Sequence, residues 1–232
     1  MISINILTWN TIDTLKETLA VIANDFPDIR HEIIIIDNGS NDGCEKLATI
    51  ANGGNLGISK GKNQGIDASL GDYIMMIDGD VVPVPGSIHR LHNYMCSYHD
   101  IMALGFHPNK WSNQKNKGTE LHHETYCNRL VDITESKGHC CYYGMYRREI
   151  FDAGVRFDER YGPGYGYEDL DFYLTMKAAG FKQHVCHING PAGKYYHAIN
   201  SSIRVMGREA YNKSNNEREK IFNEKWGAVH VG

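Results

Sequence analysis

Apolar residues form two kinds of run in the first third of the chain, and the two kinds alternate. Short continuous runs (SINILTW, then HEIIIID ending at Asp37, then DYIMMID ending at Asp78) are typical of strands buried on both faces. Between the first two, Leu15, Leu19 and Ile22 recur at helical spacing. Strands and helices alternating at these lengths predict an α/β fold with a mainly parallel central sheet flanked by helices.

The same patterns predict further elements. NDGCEKLATIA (41–51) and SKGKNQGIDASL (59–70) are each expected to form a helix. Residues 190–216 are polar and loop-like. The stretch NEREKIFNEKWG near the carboxyl end is amphipathic, and its apolar side chains predict a helix that docks on the core or on a partner subunit.

Composition narrows the class of protein. The chain has 232 residues, 41% of them hydrophobic and 22% charged, as expected for a soluble globular protein with its own core. A net charge of −4 argues against general nucleic-acid binding. No transmembrane run and no signal peptide are recognisable. The six cysteines contain no C-x-x-C pair, so we expect free thiols and a cytoplasmic location.

Polar residues follow the predicted strands at the point where each strand ends. Thr8, Trp9 and Asn10 follow the first strand, the segment 37–43 (DNGSNDG) ends the second, and Asp78 ends the third. Parallel sheets bind ligands beyond the carboxyl ends of their strands, so these positions predict one crevice. Asp, Asn, Gly and Ser also form turns, and DNGSNDG alone is equally well explained as a turn.

Two aspartates, Asp78 and Asp80, are separated only by Gly79. Residues two apart in an extended segment face the same side. Two carboxylates about 6 Å apart repel by roughly 3 kcal/mol at an effective dielectric near 20, and a divalent cation removes that cost. Oxygen ligands suit Mg²⁺ or Mn²⁺, and Gly79 leaves room for a ligand near the backbone. The alternative is a turn with two solvated aspartates.

The segment NLGISKGKNQG carries a second candidate site. It is not a P-loop, because GISKGKN is one residue short of G-x-x-x-x-G-K and has Asn63 where Ser or Thr should follow. Gly57 precedes the predicted helix, and Lys60, Lys62 and Asn63 lie in its first turns, where a ribose-diphosphate could bind, with Lys60 and Asn63 selected as candidates. Lysines on a solvated helix face are the alternative.

Four motifs together resemble a known family. ILTWN, IIIIDNGSNDG, NLGISKGKNQGIDASLGDYIMMIDGDVVP and GYGYEDLDFYLTMKAAGF occur in the order found in glycosyltransferases of the GT-A (Rossmann-like) fold, close to family 2. The resemblance covers roughly residues 1–95 and 160–200. It implies a donor-binding half, 1–95, and an acceptor-binding and catalytic half with a small acceptor-side subregion, 96–232, within one domain.

The resemblance implies a uridine nucleotide in the crevice. Thr8, Trp9 and Asn10 would line the base and ribose pocket, where Trp9 replaces the tyrosine more often expected. Asp37 would accept from the uracil imide, with Asn38 beside it.

The resemblance also implies a metal-bound diphosphate. Asp78 and Asp80 would hold the metal and the ribose, with Asp80 the firmer metal ligand, and Gly79 would contact the bound donor. His197 occupies the place of a histidine that returns to the metal in related enzymes. An imidazole ligand would favour Mn²⁺ over Mg²⁺, although Mg²⁺ stays open.

The catalytic acids are implied in the YEDLD motif. Asp169 matches the general base of inverting members, and Glu168 would orient sugar or acceptor hydroxyls. A hydroxyl nucleophile needs a carboxylate within hydrogen-bond reach. Acids at a helix amino terminus also stabilise the helix dipole, which is the alternative for both residues.

The resulting hypothesis is a metal-dependent hexosyltransferase. It would move a sugar from a UDP-sugar, UDP-glucose as the first guess, to the hydroxyl of a glycan, a lipid-linked sugar or another acceptor. Inversion is the favoured outcome, and retention is the alternative because related folds with similar donor sites do both. A homo-oligomer is possible. Two alternatives stay open: a non-catalytic sugar-nucleotide or glycan-binding module, and a sugar nucleotidyltransferase. The second should carry a glycine-rich loop after the first strand, where this chain has TWNTIDTLKETL.

Overall fold

A computed structural model describes residues 1–25, 28–83, 85–106, 122–125, 129–135, 141–189, 194–197 and 207–227. Its strands are β1 (Ile2–Thr8), β2 (His31–Asp37), β3 (Ile50–Ala51), β4 (Tyr73–Asp78), β5 (Val81–Val82), β6 (Ala103–Phe106), β7 (His122–Thr125), β8 (Arg129–Glu135), β9 (Tyr143–Arg147), β10 (Gln183–Asn189) and β11 (Lys194–His197). Its helices are α1 (Ile12–Asp25), α2 (Ile58–Ala68), α3 (Ser87–Ser97), α4 (Arg148–Asp152), α5 (Glu168–Ala178) and α6 (Arg208–Trp226), with 3₁₀ turns at Cys44–Lys46 and Glu159–Tyr161. Among these helices, none combines the length and apolarity needed to cross a bilayer.

The main sheet has eight strands in the order β3-β2-β1-β4-β9-β6-β10-β8. Four of its seven neighbouring pairs are parallel, which confirms the predicted mainly parallel α/β sheet. The strand order reverses beside β1, and such a reversal opens a crevice beyond the carboxyl ends. A smaller sheet joins β5, β11 and β7.

Helices cover both faces of the main sheet, because side chains of each central strand alternate between two cores. Met75 and Ile77 of β4 pack in one core with residues of α1 and α3, such as Leu15. Ile74 and Met76 pack in the other core with residues of α4 and α5. Alternation with period two therefore explains why β4 is apolar at each position from Ile74 to Ile77.

The predicted helix over 41–51 is wrong. The chain forms only the short 3₁₀ turn there and then adds β3 to the edge of the sheet beside β2. Asp42 directs its carboxylate to the backbone N–H groups of Ile12 (2.8 Å) and Cys44 (3.1 Å), which fixes a loop conformation. Asp side chains compete with helical hydrogen bonds in this way.

The carboxyl-terminal helix docks on the core of its own chain. Phe222 is buried, and the ring of Tyr167 lies 5.2 Å from it. Asp171, which is fully buried, accepts hydrogen bonds from Lys225 Nζ (2.9 Å) and Trp226 Nε1 (2.7 Å). The helix begins at residue 208 and residues 194–197 form a strand, so the loop predicted for 190–216 is wrong in these two parts.

Candidate functional site

The carboxyl ends of three neighbouring strands meet at one level. Thr8 pairs in register with Asp37, and Leu7 pairs with Asp78. Asp78 ends β4, and its backbone N–H donates to Tyr142 O (2.9 Å). The predicted convergence of the strand ends is therefore present.

Gly79 is required by the packing of β4 against β1. Its N–H donates to Leu7 O at 2.7 Å. A Cβ atom at this position would lie 2.7 Å from Thr11 Oγ1 and 2.8 Å from Thr8 Cα. Residues of β1 and of the loop after it therefore fill the space on that side of Gly79. The contact of Gly79 with a ligand stays a prediction.

Asp78 lies in an environment with an excess of negative charge. Burial raises the pKa of its carboxyl group to about 6, the nearby carboxylates of Asp169 and Asp80 add to the effect, and Lys62 opposes it. The Oδ1 atom is 3.1 Å from Lys62 Nζ, in an ion pair without good hydrogen-bond geometry, and 27% of the side chain is exposed. A carboxylate held in this state favours a cation on its exposed side.

The amino terminus of α5 brings two more acids to this crevice. Asp169 Oδ1 lies 3.4 Å from Lys62 Nζ, and 22% of the Asp169 side chain is exposed. Glu168 is buried and accepts a hydrogen bond from Gly166 N (2.8 Å). Burial and the neighbouring Asp169 raise the pKa of Glu168 to about 7.

Backbone strain marks the start of α5. Tyr167 precedes Glu168 and has φ 69°, a left-handed conformation that is uncommon for a bulky residue. The contact between the rings of Tyr167 and Phe222 helps to hold it. Strained residues of this kind cluster at functional sites, and this one directly precedes the two acids.

Lys62 joins the two groups of acids, whereas the sequence suggested for it only a diphosphate contact or a solvated position. Its Nζ atom contacts Asp78, Asp169 and the carbonyl oxygen of Cys141 (2.9 Å). Burial opposes its charge, but the two carboxylates prevail and raise the pKa of Lys62 well above its ordinary value. Ile58, Gly65 and Ile66 share its helical face, and this spacing was the available signal that Lys62 points inward.

The predicted base-pocket residues lie together at the ends of β1 and β2, where their polar atoms hold the loops. Asp37 is buried, and its carboxylate accepts from the N–H groups of Gly39 (3.1 Å) and Ser40 (3.1 Å). Thr8 Oγ1 lies 2.7 Å from Thr11 Oγ1 and 3.2 Å from Cys44 Sγ. These contacts show that Thr8 and Asp37 stabilise the loops at the strand ends, as the turn explanation predicts.

Asn10, Asn38 and Trp9 complete this region. Asn10 has φ 54°, and its Oδ1 accepts from Asn41 N (2.9 Å). Asn38 is buried and donates to Asn55 Oδ1 (3.0 Å). Trp9 is half-buried, so part of its ring surface is accessible. Contact of these residues with a nucleotide base stays a prediction.

The three residues at α2 that were predicted to bind a ribose-diphosphate contact another segment of the protein. Gly57 precedes α2 and packs against the backbone of Gly162. Lys60 forms a half-exposed ion pair with Glu159 (3.0 Å). Asn63 is buried. Its side-chain Nδ2 donates hydrogen bonds to Phe157 O and Glu159 Oε1, and its Oδ1 accepts one from Phe157 N. These contacts join α2 to the segment 157–162, and a role in diphosphate binding stays a prediction.

The residues that would hold a metal fit that role in part. The side chains of Asp78 and Asp80 supply oxygen ligands at a negatively charged strand end. No group of three or more His, Cys, Asp or Glu side chains with metal-binding geometry occurs within the described ranges. The backbone of His197 pairs with Val81, directly after Asp80. The side chain of His197 lies outside the described part of the structure.

The fold is that of the GT-A glycosyltransferases. Similar solved structures include S. aureus TarS in complex with UDP-GlcNAc, with a TM-score of 0.57 and 16% identity, covering 83% of this chain and 57% of that one. The mannosyltransferase PcManGT from Pyrobaculum calidifontis, in complex with GDP-Man and Mn²⁺, gives a TM-score of 0.56 at 15% identity, covering 82% and 54%.

The family model of glycosyl transferase family 2 matches residues 3–154, and the chain therefore belongs to that family. A curated relative, an uncharacterized glycosyltransferase of Methanocaldococcus jannaschii, is 27% identical over 116 residues, covering 45% of this chain and 40% of the relative. The chain thus spans less than two thirds of the length of each of these relatives.

Proposed function

We propose that the protein transfers a hexose from a UDP-sugar to an acceptor hydroxyl. The observation that carries the proposal is the meeting of Asp78 and Asp169 at one ammonium group, 3.1 and 3.4 Å from Lys62 Nζ. This arrangement places the acidic strand end, suited to a donor diphosphate with its cation, beside an acid suited to activate a hydroxyl. Family membership supports the same assignment.

In the proposed reaction Asp169 is the general base. The acceptor hydroxyl loses its proton to the Asp169 carboxylate, and its oxygen forms a bond to the anomeric carbon. The bond from that carbon to the diphosphate oxygen breaks, and UDP leaves with the electron pair. Direct attack inverts the anomeric configuration. Glu168 would orient hydroxyl groups beside the base.

Asp78, Asp80 and His197 would hold the divalent cation, with Asp80 as the main ligand. Mn²⁺ is the first choice and Mg²⁺ the second; Mn²⁺ accompanies GDP-Man in PcManGT. When bound, the cation would neutralise charge on the departing diphosphate. Thr8, Trp9, Asn10, Asp37 and Asn38 would contact the nucleoside.

The donor and acceptor are proposed as classes. UDP-GlcNAc in the TarS complex supports a uridine nucleotide, whereas GDP-Man in PcManGT shows that the fold alone does not fix the base. UDP-glucose is the first donor to test, followed by UDP-galactose and UDP-GlcNAc. A glycan or a lipid-linked sugar would supply the hydroxyl. A cytoplasmic location is part of the proposal, and it rests on the cysteine pattern of the sequence.

Calorimetry of UDP binding tests the donor site. We expect binding with Mn²⁺, weaker binding with Mg²⁺ and none with EDTA. Asp80→Ala should abolish the Mn²⁺-dependent binding, whereas Asp67→Ala, which removes an exposed carboxylate elsewhere on α2, should not change it. Absence of UDP binding with either metal would contradict the uridine assignment.

Turnover separates an enzyme from a binding module. With UDP-glucose and a panel of sugar acceptors, Asp169→Asn should lower kcat by about 10²- to 10⁴-fold, the usual contribution of a general base. UDP affinity should stay within about threefold of the wild-type value, because the base contacts the acceptor. Tight UDP binding without transfer or hydrolysis of any UDP-sugar would instead favour the non-catalytic module.

A further inference from the structure

Lys62 has no part in the reaction proposed above, although its ammonium group lies between the two acids that do. We propose that Lys62 is a positioning residue: it holds the carboxylates of Asp78 and Asp169 in place and thereby sets the base relative to the donor. The proposal rests on the proposed function for its catalytic consequence, but the contact itself is testable without it.

The contacts of the ammonium group support a positioning role. The side chain of Lys62 is 3% exposed, and its Nζ atom is surrounded by Asp78 Oδ1, Asp169 Oδ1 and Cys141 O. The ring of Phe157 lies 5.4 Å away. An ammonium group has three donors, and two of them already donate to Cys141 O and Asp169 Oδ1, while Asp78 Oδ1 lies 3.1 Å away in an ion pair. Lys62 therefore has little capacity left for a donor phosphate.

The charges explain why the site needs this cation. Both carboxylate oxygens lie within 3.4 Å of one nitrogen, so they are less than about 7 Å apart. Without the ammonium group, Asp78 and Asp169 would repel each other in a largely enclosed environment. Because Asp78 belongs to β4 and Asp169 to α5, the loss of Lys62 would also uncouple the donor side from the acceptor side.

A double-mutant cycle in thermal unfolding tests the contact directly. Lys62→Met keeps the length of the side chain without its charge, and we expect it to lower Tm by at least about 4 °C. Asp169→Asn should lower Tm in the wild-type background, since it breaks an ion pair. In the Lys62→Met background the same change should raise Tm, since it removes a repulsion with Asp78. An equal decrease in both backgrounds would overturn the proposal.

Kinetics tests the catalytic consequence. Lys62→Met should lower kcat with UDP-glucose about 100-fold, a loss typical of a misplaced reacting group, while the Kd of UDP changes less than about threefold. Lys62→Arg should restore part of kcat because it restores the charge. Lys16→Met, at an exposed site on α1, is the matched control and should leave kcat unchanged.

Two outcomes separate this proposal from its alternatives. A 100-fold weaker UDP affinity with little change in kcat would make Lys62 a diphosphate ligand and overturn the positioning role. If the wild-type protein transfers no sugar, the proposed function fails, whereas the unfolding cycle still decides whether Lys62 couples the two acids.

Discussion

Glu168 is a carboxylic acid enclosed by protein beside another acid, and this environment has a cost for stability. The pKa of its carboxyl group is raised from 4.5 to about 7 by burial and by Asp169. Between these values the unfolded chain releases the proton while the folded chain keeps it. Folding is therefore favoured by this group at low pH, and the advantage is lost as the pH rises toward 7.

This residue gives a pH prediction. Relative to wild type, Glu168→Gln should become more stable as the pH increases, by roughly 2–4 kcal/mol between pH 4.5 and pH 7.5. The amide oxygen can still accept from Gly166 N. Urea unfolding at several pH values measures the effect, with Glu149→Gln at an exposed site of α4 as control. Parallel pH profiles of wild type and Glu168→Gln would contradict the raised pKa.

Two lysines show how far residue roles follow from sequence. Lys60 and Lys62 lie two positions apart on α2, on nearly opposite sides of the helix. Lys60 forms a half-exposed ion pair, and Lys62 is buried between two acids. Helical spacing indicates that Lys62 points inward, but it does not identify the groups that Lys62 contacts. The difference depends on α5 and on the residues before β9, which pack there only in the folded chain.

The loop before α2 packs directly against the backbone that follows the 3₁₀ turn at Glu159–Tyr161. Gly57 has φ 91°, and a Cβ atom there would lie 2.1 Å from Gly162 O. Two backbones approach this closely only where a side chain is missing. The contact joins the half proposed from the sequence to bind the donor to the segment that leads to Glu168 and Asp169.

Gly57→Ala should therefore destabilise the fold by about 3 kcal/mol or more, because it adds both a backbone clash and an unfavourable φ. Gly53→Ala is the matched control, since a Cβ atom there meets nothing within 4 Å. The control should change stability by less than about 0.5 kcal/mol. Urea unfolding measures both variants, and similar losses at the two positions would contradict the close contact.

Helix α6 braces the segment that carries the acids. Ser214 Oγ accepts from Tyr165 N (2.8 Å), and Arg218 donates to Pro163 O. A Cβ atom at Gly164 or Gly166 would collide with side chains of α6, so the glycine-rich turn follows the surface of this helix. The glycines are thus explained by packing, not by flexibility alone.

Asp171→Asn tests this brace. It replaces a buried carboxylate that accepts from Lys225 and Trp226, and we expect a loss of about 1–3 kcal/mol. Hydrogen exchange should become faster across residues 208–226 before it changes in β1 or β4. Asn216→Ala, on the exposed side of the same helix, should leave exchange unchanged. Uniform exchange changes throughout the described residues would contradict a local role.

The strand pairing in the first half of the main sheet could be predicted from the sequence, and the pairing in the second half could not. Strands β1, β2 and β4 are continuous apolar runs joined by helices, so local pattern determines their type and their parallel pairing. In contrast, β9 pairs antiparallel between β4 and β6, and β10 lies beside β6 and β8. These pairings depend on contacts between residues that are distant in the chain.

The site follows the same division. The meeting of Asp78 with Thr8 and Asp37 could be predicted because parallel strands share one edge. That Asp169 lies near this edge could be inferred only from the resemblance to family 2 glycosyltransferases. The structure shows that both Asp78 and Asp169 contact the buried ammonium group of Lys62.

The position of α6 in the chain gives the site an order of assembly during synthesis. Trp226 follows Asp169 by 57 positions. At roughly 5–20 residues per second, the ribosome adds the bracing helix about 3–11 seconds after the acids. The strands β1, β2 and β4 therefore leave the ribosome before α6 can pack against the segment with the acids. A chain terminated before α6 would therefore keep the crevice, but the segment that carries Glu168 and Asp169 would lack its contacts with this helix.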